Sequence, residues 1–179
     1  MRNALALMLL TLGLAAPASA QGRPDRDLFT DVAAEVNQYA FFTIFDSVHV
    51  QVHDGRVVLT GKVTTPNKAH DIAARVSRVA GVHTVVNGID ALPVSNFDTR
   101  LRLRIASALY RHPALQMYGV GRFPSIHVIV ERGHVTLDGV VHNDADRLIA
   151  GALAQQSEAF AVKNELQTTE EVTLALQRL

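Results

Sequence analysis

The side chains able to do chemistry in this chain are histidines, acids and a row of arginines. Eight His and no Cys stand among its 179 residues. His49 and His53 share one face of a strand pattern, and His127 repeats His49 later in the chain. A closed zinc site wants four ligands in tight geometry, and no Cys and no His-x-x-x-His motif on a helix supports one. These read as exposed strand histidines, with no metal and no cofactor expected. Nucleophilic catalysis has as little support. There is no Gly-x-Ser-x-Gly, no P-loop and no nucleotide fingerprint. Asp54 belongs to a hairpin turn and Asp138 to a hairpin strand, and nothing brackets a nucleophile with a base. The chain reads as non-enzymatic.

The arginines carry a more specific pattern. Arg100, Arg104 and Arg111 recur at i, i+4 and i+11, with Ser107 between them. That spacing sets them on one helical stripe beside a buried one. Guanidinium groups grip phosphate oxygens as bidentate forks, so the stripe suits an anionic lipid surface; an ordinary solvated face has the same composition. A basic residue near an anionic membrane contributes about 1 kcal/mol. Three or four reach ~4 kcal/mol, a roughly millimolar affinity. Useful binding therefore needs apolar insertion as well, at roughly 1.5–3 kcal/mol per side chain fully buried. The loop Leu115–Pro124 offers Met117, Tyr118 and Phe123 between glycines, next to Arg122. The candidate lipid-binding set is thus Arg100, Arg104, Arg111, Met117, Tyr118, Arg122 and Phe123. A rival patch is the run Tyr39 to Phe45, where Phe41, Phe42 and Phe45 either insert into lipid or a partner, or form core or the seam between two repeats.

The elements that must position these residues follow from a repeat. Residues 47–61 and 125–139 are identical at eight of 15 positions when shifted by 78. A repeat of this period means two copies of one small unit. In copy one, Asp27 is placed to cap a helix bearing Leu28, Val32, Val36 and Tyr39. Val48, Val50 and Val52 alternate with His49, Gln51 and His53, as in a half-buried strand. Asp54-Gly55 is a primed hairpin turn, and Val57 and Leu59 return the chain. Pro66 opens a second helix with Ala69, Ile72, Ala73, Val76 and Val79 inward. Gly81 stops it, and Val82–Ile89 makes a third strand.

Copy two repeats the order. Asp98 is the expected cap, and Leu101, Ile105, Ala108 and Leu109 the inward stripe. Arg132-Gly133 is the hairpin turn between Ile126, Val128, Val130 and Val135, Leu137. Asp144 starts a helix with Leu148, Ile149, Ala152 and Leu153 inward, and the last strand runs from about Ala159 to Leu166. The fold class expected is α+β, as two tandem αββαβ units. Each is a three-stranded mixed sheet with two helices on one face, since a bare hairpin is marginal in water.

Residues 1–20 read as a secretory leader, or signal peptide. Arg2 precedes the apolar run Ala4–Leu14, and small residues at Ala18 and Ala20 suit cleavage after Ala20. Export is the expectation. The run is shorter than the ~20 apolar residues a bilayer span needs. The whole chain carries 17 basic and 17 acidic side chains, a balance that argues against non-specific nucleic-acid binding. The charge is nonetheless uneven. Asn96–Arg132 holds six Arg against Asp98 and Glu131, while the chain from Asp144 onward is acidic.

The motif V-x-V-x-V, a hairpin glycine, V-x-L-x-G-x-V, a helix and then G-V-x-x-V-x-N-x-I/L resembles the BON domain. Copy one carries it from Val48 to Val63, then at Gly81, Val82, Val85, Asn87 and Ile89. Copy two carries it from Ile126 to Val140, then at Val162, Asn164 and Leu166. It departs at Glu158-Ala159-Phe160, where the family has Gly-Val. An exported chain with two such units resembles the OsmY-like periplasmic proteins. The resemblance divides the chain into a first BON domain (25–92), a linker (93–98), a second BON domain (98–168) and a tail (169–179). It implies a non-catalytic module that associates with an anionic phospholipid membrane surface and supports the envelope under osmotic or other stress. The alternative is a protein-interaction or chaperone-like module that docks an envelope protein partner.

Overall fold

The computed structural model describes residues 24–120 and 124–177. The leader expected at residues 1–20 lies outside them, as do Arg122 and Phe123 of the candidate site. The first unit runs α1 (Asp25–Asn37), β1 (Ser47–His53), β2 (Arg56–Val63), α2 (Pro66–Val76) and β3 (Thr84–Ala91). Central β2 pairs antiparallel with β1 and parallel with β3. Leu28, Val32 and Val36 lie one turn apart along α1. They meet Val57, Leu59 and Val63 of the sheet and Ile72 and Val76 of α2 in one buried cluster. The period of four in the helices and of two in β2 therefore converges on a single core.

The second unit repeats this with α3 (Asn96–Arg111), β4 (Ile126–Glu131), β5 (His134–Val141), α4 (Asp144–Gln155) and β6 (Ala161–Asn164). A 3-10 turn (Gln116–Gly119) lies between α3 and β4. The sheet then departs from three strands. A short β7 (Gln167–Thr168) pairs parallel with Val140 and Val141, beyond the stretch of β5 that β6 covers. The strand expected from Ala159 to Leu166 is thus shorter, Ala161–Asn164, with β7 following it. The tail closes as α5 (Thr169–Leu176), where Thr168 and Glu171 form a reciprocal capping box.

Both hairpins are primed turns, as the sequence predicts. Asp54 and Gly55 have φ of 47° and 73°, and Arg132 and Gly133 have 51° and 78°. This conformation matches the twist of the flanking strands. Where copy two lacks the family glycine, Glu158 takes up the left-handed backbone that Gly81 has in copy one, at φ 66° against 96°. The turn survives the departure. In both copies the residue two further on, His83 or Phe160, donates its amide to the hairpin glycine's carbonyl.

Several local expectations are corrected. Asp27 and Asp98 are not caps, whereas Asp144 starts α4 as expected. The cap positions are Pro24, Ser95 and Asn143, and the last two accept the amides of Asp98 and Asp146. Asp98 is buried because it has another task. Its carboxylate accepts the Arg132 and Gly133 amides at 2.9 and 2.8 Å, tying α3 to the β4–β5 turn. Asp25 does the same for Asp54 at 2.9 Å. Leu148 and Ala152 face outward, and α4 buries Ala150, Gly151 and Ala154 instead. A Cβ at Gly151 would lie 2.7 Å from the Asn164 side chain, so the helix rests on the sheet through its smallest residues. Ala106, not Ala108, is the buried alanine of α3.

Asp98→Ala leaves two hairpin amides without their acceptor beside a buried helix start. It should lower unfolding free energy by about 1–3 kcal/mol per orphaned group in chemical denaturation. An unchanged midpoint would show that the turn holds itself.

Candidate functional site

Chemistry-bearing residues gather in two places: the junction of the two units and the outer face of α3. The junction is built by residues 39–46. Tyr39 is in the first core, and its hydroxyl donates to Asp71 at 2.7 Å. Phe42 packs against that same core, whereas Phe45 packs against the second. Of the aromatic run, Phe41 alone is largely exposed, at 67%. The run is core and seam, with that one ring left over.

Asp46 fixes the crossing. It is fully buried, and its carboxylate accepts five hydrogen bonds. They come from the Thr43 amide (2.8 Å) and hydroxyl (2.7 Å), the Thr64 amide (2.7 Å) and hydroxyl (2.9 Å), and Lys68 Nζ (2.6 Å). Burial would raise its pKa, but Lys68, Thr43 and Thr64 outweigh it and hold the carboxyl below its ordinary value. The turn so pinned presents Ile44 to the second unit, where its carbonyl accepts the Val128 amide at 2.7 Å.

Beside this crossing, Asp138 of β5 accepts from the buried Ser47 hydroxyl and lies 3.2 Å from His49 Nε2. Its second oxygen accepts the Gly139 amide at 2.8 Å. Lys62 adds an ion pair to Glu131 at 3.3 Å. Ser, His and Asp meet here, yet not in the order a nucleophile requires. The Ser47 hydroxyl donates to the carboxylate, while the base that should take its proton is 3.4 Å away. The arrangement is a clamp between β1 and β5. It lines one end of a 580 Å³ cleft between the units, walled also by Phe29, Asn37, His127 and Glu165.

His49 and His127 respond oppositely to this setting. The hydrogen bond it donates to Asp138 raises His49 above its ordinary value. Burial pushes His127 down, against Asp138 and the Thr43 carbonyl 3.3 Å from its Nδ1. A third group, Asp25, His53 and Asp54, brings its ligand atoms within 4.8 Å of one another among the described residues. Asp25 there holds the hairpin amide, as described above.

The arginine stripe is divided in its bonding. Arg104 reaches across to Glu158 and, at 3.2 Å, to the Ser157 carbonyl. Arg100 and Arg111 are exposed and have no ion-pair partner among the described residues. Phe97 lies on the same face. At 100° per residue, positions 97, 100, 104 and 111 fall within about 60° of arc. Its ring stacks on Phe160 with centroids 5.8 Å apart, and both rings remain open to solvent, at 43% and 73%.

The expected loop does not complete this face as a unit. Met117 is exposed, but Tyr118 is buried and belongs to the second core. Its hydroxyl donates to Asp146 at 2.5 Å and accepts the His142 amide at 2.8 Å. A phenol so engaged is not free to enter lipid. Phe97 and Phe160 were missed, because only the packing of α3 on the α4–β6 turn brings them together. Asp46 and Asp138 carried no local pattern.

Two αββαβ modules joined by a pinned turn make this a tandem-domain α+β protein. No helix among the described residues is long and apolar enough to cross a membrane. The BON domain family model matches twice, at residues 24–93 and 97–170, and the chain belongs to that family. BON domains are generally non-catalytic binding modules, and their proteins are typically periplasmic or envelope-associated. No curated protein matches the sequence. Among solved structures, CdsD of Chlamydia trachomatis, described as a structural protein of its type III secretion system, is 16% identical. The match covers 84% of this chain and 97% of that one, with a TM-score of 0.31. The C-terminal domain of CdsD gives 14%, 78%, 96% and 0.29.

The clamp predicts a pH dependence with a definite sign. A histidine whose folded pKa is raised contributes fully below its unfolded value and loses that contribution as pH rises through the folded one. Asp138, held low by His49 and Ser47 against its own burial, loses its contribution only as pH falls through its lowered value. His49→Gln should therefore lower the melting temperature more at about pH 5.5 than at about pH 8.5. An equal loss at both would remove His49 from the clamp.

Proposed function

We propose that this is a non-enzymatic periplasmic phospholipid-binding protein that supports the envelope under osmotic or related stress. Its lipid contact is the outer face of α3. The observation that carries the reading is the junction, on that one face, of Arg100 and Arg111 with the exposed Phe97–Phe160 pair. Arginines alone give the roughly millimolar affinity worked out above. Two aromatic rings able to leave water add the apolar insertion that such a surface needs. Arg104, tied to Glu158, orients the loop that carries Phe160. Met117 lies within the expected set as an exposed side chain, and Arg122 and Phe123 remain in it from the sequence.

The family's envelope association supports a membrane surface as the ligand. Each lipid contact through a guanidinium is screened by salt, whereas the aromatic part is not.

Co-sedimentation with vesicles of graded anionic lipid content tests this. Binding should rise with anionic fraction and fall with salt. The pair Arg100→Glu and Arg111→Glu should abolish it, and Phe97→Ala with Phe160→Ala should weaken it roughly tenfold or more. Unchanged binding in the arginine variant would sink the proposal.

A further inference from the structure

The two units treat the same sheet edge differently. Their helices align in register: Leu28, Val32 and Val36 of α1 stand where Leu101, Ile105 and Leu109 stand in α3, 73 residues on. Their first strands align at 78, so Val48, Val50 and Val52 match Ile126, Val128 and Val130. Both β1 and β4 are edge strands. In a two-residue hairpin the pair flanking the turn is hydrogen-bonded, here His53 with Arg56 and Glu131 with His134. Alternate residues then turn their amides and carbonyls outward. Those residues are Val48, Val50 and Val52 on β1, and Ile126, Val128 and Val130 on β4.

On β4 the outward groups are covered. The Tyr110 hydroxyl donates to the Ile126 carbonyl at 2.6 Å. The Val128 amide donates to Ile44 at 2.7 Å. Arg102 Nη2 donates to the Val130 carbonyl at 2.5 Å. Among the described residues, no such bond reaches the outward groups of Val48, Val50 or Val52. The helix register gives the reason. The places of Arg102 and Tyr110 are held in α1 by Phe29 and Asn37, which cap nothing on β1. They wall a groove instead. One stretch, of 210 Å³, lies between Phe29, Ala33, Asn37 and Val48–Val50. Another, of 140 Å³, continues past Phe29 to Val52 and Asp25. The other end opens into the cleft between the units, which Phe29 and Asn37 also line. Edge strands are normally blunted with lysine, proline or a bulge. The β1 sequence Ser-Val-His-Val-Gln-Val-His has none of these.

We propose that the β1 edge binds an extended segment of a partner protein by strand addition, with an aromatic side chain seated in the groove beside Phe29. The molecule itself shows what such an edge takes. What covers the middle of β4 is the turn Thr43–Asp46, in which Ile44 gives a backbone carbonyl to Val128 and Phe45 an aromatic ring to the second core. The partner segment does the same for Val50. The span Val48–Val52 calls for about five extended residues, at roughly 3.3 Å each. This site lies on copy one, takes protein rather than lipid, and stands or falls independently of the arginine face.

The probe is a blocked synthetic peptide with the sequence of residues 40–47, Ala-Phe-Phe-Thr-Ile-Phe-Asp-Ser, added to the protein. Saturable binding is expected, with amide exchange slowed at Val48, Val50 and Val52. The double variant Phe29→Arg, Asn37→Tyr installs the caps of β4 and should weaken binding at least about tenfold with the melting temperature kept. Absence of binding, equal binding of a scrambled peptide, or protection confined to residues 126–130 would overturn the proposal. So would a peptide-free dimer that grows with concentration and vanishes in the double variant, since the occupant would then be a second copy. The exchange measurement on the unaltered protein decides the matter even if the double variant does not fold.

Discussion

The structure depends on one buried carboxylate. Asp46 gathers the amides and hydroxyls of Thr43 and Thr64 and the ammonium of Lys68, all within the first unit. A buried ion pair is often no net gain over apolar packing, because both charges lose their water. Its use here is geometric. It forces residues 43–46 into a single turn, and that turn hands Ile44 and Phe45 to the second unit. Without it the two cores would be held by the segment between β3 and α3, the Ser47–Asp138–His49 clamp, the Lys62–Glu131 pair and the Phe42–His127 ring contact. Copy two does not repeat the device. At a shift of 78, Asp46 becomes Pro124, Thr64 becomes His142 and Lys68 becomes Asp146. The phenol of Tyr118 takes over as hub, bonding His142 and Asp146. The first unit spends its hub on holding its neighbour and the second on closing its own end.

What the sequence made legible follows from range. Strands β1, β2, β4 and β5, both primed turns and the inward stripes of α1, α2 and α3 rest on periods of two and four and on local glycine chemistry, so they were readable. Two caps slipped by three residues, because Asp27 and Asp98 resemble caps while Pro24 and Ser95 hold the positions. Asp98 in particular was drawn away by amides 34 and 35 residues distant, which no local rule reports. Of the inward set of α4, Ile149 and Leu153 pack against the core, while Leu148 and Ala152 face outward for a similar reason. Gly151 approaches Asn164 closely, and that contact, not hydrophobicity, turns Leu148 outward.

The candidate site was legible in its charges and not in its aromatics. Arg100, Arg104 and Arg111 lie on one face, as their spacing requires, but Arg104 is engaged by Glu158. Tyr118 reads as an interfacial residue between glycines and is instead the hub of a core. Conversely, Phe97 and Phe160 come from segments 63 residues apart, and only the packing of α3 on the α4–β6 turn stacks them. The two copies share the residues that make the scaffold. Their differences, Phe29 for Arg102, Asn37 for Tyr110 and the Arg-aromatic face of α3, separate the surface proposed for lipid from the one proposed for an extended chain.

The membrane contact proposed for this protein is the outer face of α3. Site-resolved NMR with vesicles containing a paramagnetically labelled anionic lipid tests it. Amide broadening should centre on Phe97, Arg100, Arg111 and Phe160, with α1 and β1 little affected. Broadening centred on α1 or on Phe41, or none in the presence of anionic lipid, would contradict it.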